Sequence, residues 1–370
     1  MKTMLFIKYA VVYLFCTACI FAQVIGKVTS VSGNAVIEDK GKSQRASVGT
    51  LVNEGARIVT KGAGSRVVFA TAGGGTVQVG ADTALIVNKN TVKNREGDSV
   101  NLSLQKGALS CKIQKLTSSG SQFQVFTPNS VAGVRGTDFL VATGPDGSST
   151  VNVNGGKVNV QSDGGTVDVG ANQKAEAVLG ASQIAQGAST GGEADVEKWL
   201  AERAKAVESD PAGTMDKMTA HLAKVENTAK QLAEKSDGEA KKDVSGDKDA
   251  VKKQQAEGMA LMQELNRTSA ASSGIMENAA RIAEQYAKNA DVKTKLNAIQ
   301  RMNKSIDGFN NRVDAALGRL DAKLAAAYKR IDDSWKEGED KINSLFNDTK
   351  QMKDFKNMDM DKEDDRFKIK

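Results

Sequence analysis

The sequence predicts a β part followed by an α part. The first is an N-terminal all-β domain of short strands, a sandwich, roll or solenoid-like stack. The second is a set of long C-terminal α-helices forming a bundle or coiled coil. Three observations predict this. Of 35 glycines, 27 precede Glu193 and eight follow it. Apolar and polar residues alternate in short runs along residues 24–178. Beyond Pro211, the last of three prolines, apolar residues step by three and four instead.

Residues 1–22 read as a signal peptide. Lys2 and Lys8 flank the start of an apolar run from Tyr9 to Phe21. The run is short for a transmembrane helix, and Ile20-Phe21-Ala22 fits a signal-peptidase site, which places the mature start at Gln23. Two alternatives stay open. Cys16-Thr17-Ala18-Cys19 has the small residues of a lipoprotein site, with Cys19 as the lipid attachment, and only then would the chain sit on a membrane. The run could also be an uncleaved anchor. Of three cysteines, only Cys111 lies outside this segment, so no intramolecular disulfide framework is expected.

Residues 23–179 form the predicted β domain. Val77 and Val79 flank Gln78; Val100, Leu102 and Leu104 alternate with Asn101 and Ser103; Leu109, Cys111 and Ile113 alternate with Ser110 and Lys112. Val151/Val153 and Val158/Val160 repeat the pattern. Successive strand side chains point to opposite faces, so each run buries one face and wets the other. Gly73-Gly74-Gly75, Gly155-Gly156 and Gly164-Gly165 break the runs and suit tight turns. The octet from Gly74 to Ala81 is echoed from Gly164 to Ala171, a weak sign of repeating units. Each glycine run leads into another strand rather than a helix, which argues against a phosphate loop. Cys111 shares the apolar face of Leu109 and Ile113 and is expected to be a buried, inert thiol.

Within this domain, Phe123-Gln-Val125-Phe-Thr127-Pro128 is followed by Val131-Ala-Gly-Val134-Arg-Gly136-Thr137-Asp-Phe139-Leu-Val141. This resembles the core signature of the FecR domain family, an F-x-V-x-T-P strand followed by a Val-rich strand ending in G-T-x-F-x-V. Ser65–Phe69 with Gly75–Val79 resembles the family's preceding hairpin, Leu104–Leu109 its l-x-x-G-x-l turn, and Val153, Gly156 and Val158 fall in its closing hairpin. The resemblance covers about residues 25–178. It implies an extracytoplasmic domain that passes a signal from an outer-membrane transporter to a sigma-factor regulator. The chain departs from the family's transmembrane plan, because its only apolar span starts near Met1. The residues also have a physical reading. Pro128 lacks an N–H and ends a ladder. Gly136 permits a bulge or close backbone approach, and Phe139 and Val141 bury on one face.

Residues 180–192 (GASQIAQGASTGG) read as a flexible linker. Residues 193–235 read as a helical segment, 236–255 as a charged mobile connection, 256–350 as long helices and 351–370 as a charged disordered tail. Met215, Met218, Leu222, Val225, Ala229 and Leu232 form one stripe. A longer one runs from Ile299 through Ile306, Val313, Leu320, Ile331 and Trp335 to Leu345. It needs cover, by an intrachain partner from Val196–Tyr286 or by another chain, or else the helix is mobile. Trp199 and Trp335 read as core or interface anchors.

The chemistry-bearing residues are sparse. The chain has 370 residues, 51 Lys+Arg, 45 Asp+Glu and a single histidine, His221, which reads as a surface residue on a polar helical stretch. No zinc, haem or catalytic constellation is advertised. The acidic run Asp359 to Asp365 lacks the EF-hand spacing. The formal charge of +6 is modest, so nucleic acid is not an expected partner. The expectation is a non-enzymatic exported protein, in the periplasm or at the cell surface, without cofactors. Its β domain would bind a protein or cell-wall partner, and its helices would supply reach or homo-oligomerisation. The alternatives are a periplasmic signal relay and a surface adhesin or scaffold.

Overall fold

The structure is a computed structural model. It describes residues 23–360 apart from 95, 96, 117, 119, 245 and 246, with side chains described to Leu345. The expected signal peptide, Cys19 and the last ten residues lie outside the described residues. Fifteen strands form one sheet, and four helices follow among the described residues.

Three long strands organise the sheet: β1 (Val24–Asp39), β4 (Arg57–Thr71) and β7 (Ser99–Ile113). The short strands are β2 (Lys42–Arg45), β3 (Leu51–Asn53), β5 (Gly75–Val79), β6 (Ala84–Val87), β8 (Gln122–Phe126), β9 (Ser130–Val134), β10 (Asp138–Thr143), β11 (Ser149–Gly155), β12 (Lys157–Ser162), β13 (Gly165–Gly170), β14 (Gln173–Ala177) and β15 (Ala185–Ala188). Each long strand serves successive neighbours along its length. On one edge β7 pairs first with β6 and then with β5; on the other it pairs with β8, in parallel, and then with β10. Two branches leave it, β8–β9–β12–β13 and β10–β11–β14–β15. Their inner faces share one core with β1, β4, β5 and β6, containing Phe69, Leu102, Phe123, Phe139, Val153 and Val158.

The reading of Leu104–Leu109 as a turn is corrected. Gly107 lies inside β7, with φ +86°, and the core-facing residues change from even (Val100, Leu102, Leu104) to odd (Leu109, Cys111, Ile113) across it. The strand bulges here, which lets it change partners on both edges without turning back. A Cβ at 107 would lie 2.2 Å from Thr83 Oγ1, so only glycine fits. The echoed octets are both return strands after a glycine turn, β5 inside the sheet and β13 at its margin. They belong to one sheet rather than a stack of units.

The helices are α1 (Glu193–Ser209), α2 (Pro211–Lys241), α3 (Lys248–Gln285) and α4 (Ala290–Met360). Asp210 ends α1 and caps α2, accepting from Gly213 N at 2.8 Å, with Pro211 at the first helical position. Asp247 caps α3 by accepting from Ala250 N at 2.9 Å. Asn289 accepts from Asp291 N and Val292 N at the start of α4. Helix therefore runs through most of residues 236–255, where composition suggests a mobile connection; α2 ends at Lys241 and α3 begins at Lys248. Within residues 180–192, Ala185–Ala188 form β15 against β14. Residues 351–360 continue α4.

Helices α2, α3 and α4 bury their stripes against one another in two clusters. One is built on Met215, Met218, Leu222, Ile275, Ile282, Ile299 and Ile306, the other on Leu232, Val251, Leu261, Val313, Leu317, Leu320 and Leu324. The partner for the α4 stripe is thus intrachain as far as Ile331. Lys323 Nζ donates to the carbonyls of Ala240 and Lys242, holding the C-terminal end of α2 against α4.

Candidate functional site

The signature residues sit where the two sheet branches meet. Phe123, Val125, Val134, Phe139, Val141, Val153 and Val158 are buried in the common core, and the Phe123 and Phe139 rings pack edge to face at 6.5 Å. Gly136 and Gly156 lie in the two connections that cross between branches. Gly136 has φ +131°, and a Cβ there would be 2.7 Å from Lys115 Cα. A Cβ on Gly156, at φ +88°, would be 2.7 Å from the Gly136 carbonyl oxygen. Thr137 Oγ1 donates to Lys157 O at 2.9 Å, tying one crossing to the other. Close backbone approach explains these residue types.

Thr127 and Pro128 form a tight corner between β8 and β9. Thr127 Oγ1 accepts from Ser130 N at 2.9 Å, and Thr127 N donates to Ser130 O at 2.8 Å. This corner is also the joint with the helices. Pro128 packs over Gly274 of α3, while Phe126 and Val131 pack on Ala270 one turn earlier. Its carbonyl oxygen lies 3.0 Å from His221 Nε2 on α2. His221 Nδ1 lies 3.5 Å from Asp163 Oδ2, in the β12–β13 turn. The histidine side chain is only 10 % exposed, which corrects the surface reading. The cause is a contact across 93 sequence positions. Lys224 and Arg267 reach the same Asp163 carboxylate. The hydrogen bond from His221 holds that carboxyl below its usual range, helped by the charges of His221, Arg267 and Lys224 against the opposing effect of burial.

Further contacts fix the helices on the sheet. The outer face of β7 carries Ser99, Asn101, Ser103 and Gln105, all buried. Asn278 of α3 donates to Gln105 O, and Glu277 binds Arg57 and Lys106 at 3.2 and 2.9 Å. Val92 enters the second helical cluster, and Gln255 of α3 donates to Lys93 O. Further along this outer face, beside the C-terminal half of β7, α1 lays Val196 and Trp199 on Leu140 and Ala142.

The second feature is the free end of α4. Tyr328 and Ile331 still pack against the second helical cluster, but beyond Ile331 the stripe leaves the bundle. Ile331 is half-buried, but Trp335 is 75 % and Ile342 55 % exposed. They line a groove of about 970 Å³ with Val244, Ala327, Gly338 and the start of α3. Trp199 is buried, so the two tryptophans have opposite environments. Isolated exposed apolar residues are ordinary; here a tryptophan and an isoleucine line one groove, which makes this end of α4 a candidate interaction surface.

Among the described residues no group of three or more His, Cys, Asp or Glu side chains is placed to hold a metal ion. Cys111 is fully buried; burial, and secondarily the charge of Asp138, push its thiol pKa far up. No helix among the described residues is long and apolar enough to cross a membrane.

Comparison with known proteins gives one family. Residues 56–159 match the family model described as FecR protein. No curated protein matches the chain. Two structures of a candidate anti-sigma factor from Parabacteroides distasonis are similar at 20 % identity and a TM-score of 0.32. The matches cover 39 % of this chain and 64 % or 63 % of the other, less than two thirds of that protein's length. A cell surface anchoring domain is similar at 24 % identity over 17 % of this chain and 82 % of its own, with a TM-score of 0.16.

Proposed function

From the FecR domain carried by residues 56–159, we propose that the protein is a non-catalytic interaction module of the cell envelope. The β unit is the base, and the helices are an arm held on it at the Pro128 corner. The free end of α4 captures a protein partner. The observation that supports this most is the exposed pair Trp335 and Ile342 beside an apolar groove. A partner that covers a large apolar side chain gains about 1.5–3 kcal/mol per residue from burial alone.

A second reading, signal relay, is favoured by the joint itself. The signature corner at Thr127–Ser130 touches α2 and α3 directly. A ligand that shifts the β unit would therefore move the arm. Relay and capture differ in what binds first, not in which surfaces take part.

The test is photo-crosslinking in the native host, with the reactive residue at Ser334 or, separately, at Lys61 on the exposed β surface. The proposal expects a protein captured from Ser334 and lost in Trp335→Ser. Capture from Lys61 alone, or of cell-wall material only, contradicts it.

A further inference from the structure

We propose that α2, α3 and α4 lift off the sheet as one unit, turning about Asp210, while α1 stays with the β unit. The part that opens is the seam between α3 and the outer face of β7. The relay reading supplies a use for this motion; the motion itself needs no partner.

Each side of the seam has a core of its own. The cluster around Phe69, Leu102 and Phe139 is made entirely of residues between Ile25 and Ile184. The two helical clusters take only Leu179 and Val92 from the β unit. Helix α1 goes with the sheet, since Val196 and Trp199 pack on Leu140 and Ala142. A single residue, Asp210, separates α1 from α2. Its backbone, at φ −149° and ψ 75°, is far from helical, so the two helices do not form one rod.

The seam itself is polar and badly matched. From β7 it takes Ser99, Asn101, Ser103 and Gln105, and from α3 Gln255, Asn266 and Asn278, all buried. Five of the eight buried side-chain atoms that lack a hydrogen-bond partner among the described residues lie here. Three are acceptors, Asn101 Oδ1, Gln124 Oε1 and Asn278 Oδ1; two are donors, Asn88 Nδ2 and Asn266 Nδ2. Asn88 is tied to Ser103 at 2.8 Å, and Gln124 stands beside Asn101 on the neighbouring strand. A buried amide end without a partner costs free energy that water returns on exposure, so opening satisfies groups that the closed seam leaves unpaired. The hydrogen bonds across the seam, such as Asn278 to Gln105 and Thr91 to Asp314, are exchanged for bonds to water. What holds the seam shut is local. Phe126 and Val131 pack on Ala270, Pro128 packs over Gly274, and Val92 and Leu179 reach into the helical clusters. The ion pairs of Glu277 with Arg57 and Lys106, and of Asp163 with Lys224 and Arg267, are partly exposed, and such pairs hold weakly. Opening breaks these contacts and leaves both cores intact, so it is reached more often than the unfolding of either core.

The experiment measures thiol alkylation of the full chain by a maleimide under native conditions. Rates are read peptide by peptide by mass spectrometry and divided by the rate of the same peptide in denaturant. Ser99→Cys and Ser103→Cys report the sheet side of the seam, and Ala270→Cys reports the α3 side. The native Cys111 reports the β core, and Ala279→Cys reports the helical core on the same helix as Ala270. Slow reaction of Cys111 in each variant shows that the substitution itself has not unfolded the β unit. The proposal expects the three seam positions to react at one common rate, about a hundredfold or more above Cys111 and Ala279→Cys. Their rates should also rise less steeply with urea, because a lifted seam exposes less surface than an unfolded core. One rate for all five positions overturns the proposal, since the seam would then open only with global unfolding. Fast reaction at 279 together with 270 overturns it as well, because α3 would be melting rather than lifting. Three different seam rates would mean separate local fluctuations and overturn it too. No partner is added and no reporter lies in the α4 groove, so a failure of partner capture leaves the opening standing, and the reverse also holds.

Discussion

Gly274 leaves the notch that Pro128 fills: a Cβ built on Gly274 would lie 2.5 Å from Pro128 Cγ. One residue belongs to the β unit's signature and the other to the middle of α3, and their contact turns two compositional halves into one packed body. Gly→Ala in a helix interior normally gains about 1 kcal/mol. Here the methyl must push the corner away, and overpacking of this kind costs about 1–3 kcal/mol. Gly274→Ala should therefore lower stability in urea unfolding and raise hydrogen exchange in segment 127–131. A variant more stable than the parent would show that the contact is loose.

Gly308 and Gly318 supply the contrast. Both lie inside α4, and a Cβ on either meets nothing within 4 Å. Each change to Ala should raise stability, by up to about 1 kcal/mol. Unfolding curves that move the other way would mean that these glycines serve a bend or a contact.

Gly136→Val should be among the most damaging single changes in the β unit. The glycine's φ of +131° excludes side chains, and Lys115 Cα blocks the Cβ position. Strain and overlap together cost about 2 kcal/mol or more. Thermal melting followed by circular dichroism reads the loss; an unchanged melt would refute a special backbone role.

Glu277 predicts an acid sensitivity. Burial raises its carboxyl pKa, but the hydrogen bond from Lys106 and the charges of Lys106, Arg57 and Arg281 outweigh that and leave it below the usual value. A depressed folded value means that the pairing stabilises the fold above the unfolded carboxylate pKa, and that this contribution disappears as pH falls through the folded one. Glu277→Gln should lose stability at neutral pH and much less near pH 3, so its stability curve should be flatter on the acid side. Parallel curves for variant and parent would contradict the assignment.

The strands were legible because alternation is local: Val77 with Val79, or Val151 with Val153, reveals a buried face without knowledge of its neighbours. Gly107 was misread as a turn because its reason, Thr83, lies 24 positions away and makes the glycine a bulge in a continuing strand. His221 looked exposed for the same reason, since its helical neighbours are polar and its partners belong to the β unit. Gly274 carried no signal of its own, being one glycine in an Ala- and Ser-rich helix. The α4 stripe was visible through Leu345, but which part stays uncovered depends on where α2 ends and α3 begins, at Lys241 and Lys248, and charge composition hid that break inside a longer segment.

The two tryptophans offer the most direct test of the central claim that the free end of α4 is a docking surface. Trp199 is 4 % exposed and Trp335 is 75 % exposed. Hydroxyl-radical footprinting, read by mass spectrometry, can compare them in the purified chain and in the native envelope, with Trp199 as the buried reference. The account predicts rapid oxidation of Trp335 in the purified chain and strong protection of it in the envelope, with Trp199 slow in both. Equal oxidation of Trp335 in the two settings would contradict it.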